Sequence, residues 1–134
     1  MAIPMPQPAI DNWNRPFWDA CAEGILSVQR CRDTGKTWFP PAPVSPFSPK
    51  GEWEWIRCSG GAEVLSWVVF HQKYFAGFGD RLPYNVAVVK LDEGALMCTN
   101  IDAPNETIQI GQRVQVAFEQ RGEVNVPVFK PVKG

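Results

Sequence analysis

The stretch C-R-D-T-G-K-T-W-F-P-P-A-P-V-S-P-F-S, residues 31–48, decides how the N-terminal part of this chain folds. A pair of zinc knuckles at this spacing would read C-x-x-C-G, then F-P-P, then C-P-x-C. Tetrahedral zinc takes four thiolate or imidazole donors, usually from two short turns that face each other. Only Cys31 supplies a thiolate here, and Thr34, Ser45 and Ser48 occupy the other three positions. An un-ionised hydroxyl is a poor zinc ligand. Gly35 and the Phe39-Pro40-Pro41 step stay where a ribbon would place them. The stretch reads as a rubredoxin-like ribbon that keeps its scaffold and is metal-free.

Upstream of the knuckle, Pro4, Pro6 and Pro8 favour an extended arm. Asp11 or Asn12 can cap a helix over 14–23, which Gly24 ends. Trp13, Phe17, Trp18 and Cys21 give that helix one bulky apolar face. Residues 25–31 alternate as a strand, 33–36 form a turn, and 37–39 return as its hairpin partner. The segment 40–49 carries five prolines and cannot be regular structure.

From Trp53 onward the texture is β-rich. Strands are expected over 53–58, 63–72, 84–91, 95–101, 113–119 and 124–130. The turn signals are Gly60-Gly61, Asp92-Glu93-Gly94 and Arg121-Gly122-Glu123. Several short strands with few helices between them predict a mainly β protein with a small Greek-key barrel of OB type. The expected division is 1–52 for arm, helix and degenerate ribbon, and 53–134 for the OB-fold domain.

The order of these segments resembles one family. F-W-D-A-C-A-E-G-I-L-S-V-Q-R-C (17–31), the F-P-P step (39–41) and S-G-G-A-E-V-L-S-W-V-V-F-H (59–71) match it. So do P-Y-N-V-A-V-V-K-L-D-E-G (83–94), T-N-I (99–101), I-G-Q-R-V-Q-V-A-F-E (110–119) and V-P-V-F-K-P (126–131). On these segments the chain resembles the zinc-ribbon/OB-fold proteins of the DUF35 family, which accompany thiolase-like acyl-CoA enzymes. The resemblance implies a non-catalytic accessory subunit that docks on a thiolase-like protein and helps bind or shield an acyl-CoA. It implies no tightly bound cofactor, with acyl-CoA as a shared ligand.

The charge balance, 13 Lys+Arg against 14 Asp+Glu for a net −1, speaks against a dominant phosphate-binding surface. A single-stranded nucleic-acid module is the alternative that would use the same barrel, but it should carry more basic residues. The N-terminal M-A-I-P-M-P-Q-P lacks the basic and apolar regions of a secretory signal. No run approaches a membrane span. A cytoplasmic protein with four reduced cysteines, at 21, 31, 58 and 98, is expected.

Catalytic candidates are few. His71 is the single histidine and has no nucleophile elbow near it in sequence. Cys21, Cys58 and Cys98 fall on elements where thiols usually serve as packing. The segment 72–84 mixes Lys73, Tyr74, Phe75, Phe78, Arg81 and Tyr84, aromatics and cations that can stack a base and meet phosphates. These six are the expected ligand or partner contacts. Five of the six tryptophans lie in the first 55 residues. Of these, Trp13, Trp18 and Trp38 are the expected partner anchors, and self-association is expected where no partner covers them.

Overall fold

The structure, a computed structural model, describes residues 10–70 and 84–132. Helix α1 spans Arg15–Ala22. The Asp11 side chain prepares its start: Oδ1 accepts the N–H groups of Trp13 and Asn14 at 2.8 and 2.9 Å. Pro16 fits the first turn, where its missing N–H costs nothing. Phe17 and Cys21 form the buried face, with Trp18 half-buried and edge-on to Phe17.

The ribbon is a three-stranded antiparallel sheet in the order β2-β1-β3, from β1 (Ser27–Cys31), β2 (Thr37–Trp38) and β3 (Trp53–Arg57). β3 begins at the expected 52/53 division, yet it pairs with β1 along its whole length, from Ser27↔Arg57 to Cys31↔Trp53. The proline-rich connection is held by side chains. Gln29, only 1% exposed, donates through Nε2 to Ala42 O and accepts Ala42 N–H at Oε1, both at 2.7 Å. Trp53 Nε1 donates to Pro43 O at 2.9 Å. Trp38, Trp53 and Trp55 stack edge to face along the ribbon, and Phe47 meets Trp38 in the same way.

The large sheet runs β6-β5-β4-β7-β8, all antiparallel. Its strands are β4 (Gly61–Phe70), β5 (Tyr84–Leu91), β6 (Leu96–Thr99), β7 (Arg113–Arg121) and β8 (Val124–Pro131). β5 shows the alternation that fixes its facing: Asn85, Ala87, Val89 and Leu91 are buried while the residues between them are not. Gly60 must be glycine on two counts. Its φ is +90°, and a Cβ there would lie 2.5 Å from a Val116 methyl.

The expected OB-type barrel takes the form of a curled, open antiparallel sheet, a half-barrel. β4 and β7 pair over only Gly61, Ala62 and Glu63, and the β4 ladder slips between Val64 and Ser66. A bulge bends its strand and disrupts the local ladder, so β4 leaves β7 early. The far edges meet at a single parallel bridge, Ile101↔Phe129. There Phe129 N–H donates to Asn100 O at 3.0 Å and Asp102 N–H donates to Phe129 O at 2.8 Å. Helix α1 packs on β8 and β1, and Asn125 Nδ2 donates to Cys21 O at 3.2 Å. Phe17, Leu26, Val28, Val64, Val89, Val114 and Phe129 make one core beneath both sheets.

Candidate functional site

The four knuckle positions come together. The Ser45 and Thr34 side chains and the backbone of Thr34 and Asp33 lie against the buried Cys31 thiol. The Ser45 hydroxyl, followed by that of Thr34, holds the thiol below its ordinary range despite its burial. Ser48 Oγ donates to Asp33 Oδ2 at 2.7 Å. One thiol and three hydroxyls do not fit a zinc ion. Among the described residues, no group of three or more His, Cys, Asp or Glu could hold a metal.

A second feature is a groove of about 670 Å³ at the mouth of the half-barrel, between the start of β5, the segment after β6, and β7–β8. Asn85 organises one wall. Its Nδ2 donates to Ile101 O and Asn105 Oδ1 at 2.9 Å each, and its Oδ1 accepts Ile101 N–H at 2.7 Å. Asn100 continues the network, donating to Asn85 O at 2.5 Å and accepting from Arg121 Nη2 at 2.8 Å. Arg121 also pairs with Glu119, and Lys130 with Asp102, so the cations of this wall meet carboxylates. Phe118, Val128 and Ala103 supply apolar lining. The groove offers amide and ion-pair contacts above apolar surface, suited to binding. Among its described lining residues no nucleophile stands beside a base.

Tyr84 is the one candidate of the 72–84 segment that falls among the described residues, and it lines this groove. Lys73, Tyr74, Phe75, Phe78, Arg81 and His71 lie outside the described residues. Of the tryptophans, Trp13 is 51% exposed, while Trp38 is only 7% exposed. Trp38 Nε1 is buried and finds no hydrogen-bond partner among the described residues. Cys21 and Cys58 are buried, and burial pushes both thiols up to about 12, with Glu93 adding to the effect at Cys58. Cys98 is exposed. No described helix is long and apolar enough to cross a membrane.

Sequence reading passed over Asn85, Asn100 and Arg121. Asn85 did carry a signal: it is a polar residue at an inward position of the otherwise apolar run Y-N-V-A-V-V-K-L. A buried amide needs partners, and those partners lie 16 and 20 residues further along the chain.

The described residues thus form a small ribbon leading into a half-open OB sheet, with a lined groove at its mouth. Residues 18–44 match the rubredoxin-like zinc ribbon domain of ChsH2, and residues 55–119 match the ChsH2 C-terminal OB-fold domain. The chain belongs to the DUF35 family, of the ChsH2 zinc-ribbon and OB-fold type. A DUF35 domain-containing scaffold protein of Methanocaldococcus jannaschii is 32% identical over 113 residues, covering 83% of this chain and 77% of its own. The probable enoyl-CoA hydratase alpha subunit of Thermomonospora curvata is 33% identical over 129 residues, 94% of this chain; the match spans 40% of that longer protein. A chain of the solved Ltp2-ChsH2(DUF35) aldolase superposes with a TM-score of 0.82 at 31% identity, covering 93% of this chain and 98% of its own. These relatives are thus a scaffold protein, a probable enoyl-CoA hydratase alpha subunit and a chain of an aldolase.

Proposed function

We propose that this chain is a non-catalytic accessory subunit that docks on a thiolase-like enzyme and helps bind or shield its acyl-CoA substrate. The observation that carries the reading is the near end-to-end likeness to a chain of the Ltp2-ChsH2(DUF35) aldolase. The absence of a catalytic set among the described residues supports it. The ribbon works without zinc and no cofactor is held tightly; acyl-CoA is shared with the partner. Trp13 and Trp18, with Trp38 packed in the ribbon, anchor the partner, as aromatic side chains often do at interfaces. Lys73, Tyr74, Phe75, Phe78 and Arg81, together with Tyr84 at the groove, are the proposed contacts to ligand or partner.

The test is the reaction of a thiolase-like protein encoded beside this chain, run on acyl-CoA with and without it. Addition should lower the KM for acyl-CoA or suppress its hydrolysis, and should supply no turnover by itself. An unchanged reaction at saturating amounts of the chain would remove the substrate-shielding part of the proposal.

A further inference from the structure

The two knuckle turns have the same internal construction. In the first, the backbone of Asp33 and Thr34, two and three residues ahead, faces the Cys31 sulfur, and Gly35 N–H donates to Cys31 O at 2.7 Å. In the second, Ser45 Oγ accepts N–H groups from Phe47 and Ser48, again two and three residues ahead, at 3.1 and 3.2 Å. Thr34 Oγ1 takes a further N–H, from Lys36 at 3.2 Å. The Thr34 and Ser45 oxygens therefore each close their own turn.

The turns are also tied to each other twice. Ser45, 1% exposed, has its oxygen lone pairs occupied by two N–H groups, which leaves its hydroxyl hydrogen for the Cys31 sulfur beside it. Ser48 reaches from the second turn to Asp33 in the first. A structural zinc ion does the same two jobs, closing each turn and joining the pair, and its binding energy becomes folding energy. Hydrogen bonds between buried polar groups contribute less each, but leaving one unmade costs more than making it gains.

We propose that the Ser45–Cys31 and Ser48–Asp33 hydrogen bonds cross-link the two knuckle turns in place of zinc, and that the four positions still converge as a tetrahedral site requires. The inference concerns how the ribbon is held and stands apart from any docking role. It makes the ribbon a metal site emptied by substitution while its backbone is kept.

Cobalt(II) titration under reducing conditions tests it, since tetrahedral cobalt thiolates have intense charge-transfer and visible bands. The wild-type chain should show neither, and a chelator should leave its melting temperature unchanged. The Thr34→Cys/Ser45→Cys/Ser48→Cys variant should bind one cobalt per chain with the tetrahedral-thiolate spectrum, and zinc should displace it. Separately, Ser45→Ala and Ser48→Ala should each lower the melting temperature, with the larger drop for buried Ser45. One tightly held metal per wild-type chain would overturn the proposal. So would a folded triple variant that takes up no cobalt, or a Ser45→Ala variant that melts like the wild type.

Discussion

Thr37, on the edge strand β2 of the ribbon, donates its hydroxyl to the Glu93 carbonyl in the β5–β6 turn at 2.8 Å. The same glutamate accepts Ser59 N–H at Oε2, 3.0 Å away, so one turn residue ties the half-barrel to the ribbon and to the link between them. Thr37 is only 8% exposed, and a buried carbonyl left unpaired loses its solvation without replacement. Thr37→Val, nearly the same shape, should lower stability by about 1–2 kcal/mol. A denaturant titration reads this, and an unchanged midpoint would mean the seam is held by apolar contacts alone.

Asn85 joins the start of β5 to the strand-closing segment through Ile101 and Asn105. Asn85→Ala would leave both backbone groups of Ile101 short of their side-chain partner, beside the one bridge that joins the sheet edges. A loss of at least about 2 kcal/mol is expected, with amide hydrogen exchange accelerating first at Ile101 and Phe129. Uniform protection across the sheet would contradict this placement of the closure.

The thiols give a pH dependence whose sign is fixed. Cys21 and Cys58 stay protonated in the folded chain up to about 12, against an ordinary value of 9.0. Between those values the unfolded chain binds fewer protons than the folded one, so stability falls as pH rises. Below the ordinary value this loss vanishes. Melting temperatures taken across that window should decline, and Cys21→Ala should shallow the slope. At neutral pH a thiol reagent should modify Cys98 rapidly and the three buried cysteines only on unfolding.

Arg81→Ala and Phe78→Ala are expected to weaken ligand or partner engagement while leaving stability within about 1 kcal/mol, the range of substitutions outside a core. Loss of several kcal/mol in a denaturant titration would assign these side chains to packing.

Much of the fold was legible because its signals are local. The alternation of β5 gives 84–91, the same span as the strand, and Asp11, Pro16 and Gly24 bracket a helix found over Arg15–Ala22. The openness of the sheet was not legible. It depends on a ladder slip at Val64/Ser66 and on a three-pair contact between β4 and β7, whose partners are some fifty residues apart. The register of distant strands leaves no mark in local periodicity. Likewise the knuckle substitutions announced an absent metal, but the hydrogen bonds that join Ser45 to Cys31 and Ser48 to Asp33 appear only when the turns face each other. Gln29 is similar: a polar residue within a strand whose partner, Ala42, lies in a segment that sequence could only mark as irregular.

The accessory-subunit reading meets its most direct test in co-expression with a thiolase-like protein encoded in the same genomic neighbourhood, followed by size-exclusion chromatography with light scattering. The two should elute as one complex, with the chain alone self-associating, and Trp13→Ala should weaken the complex without unfolding the chain. Separate elution at micromolar concentration, with this chain monomeric and well behaved, would contradict the account. Binding of that monomer to single-stranded oligonucleotide with a steep salt dependence would point to the nucleic-acid module instead.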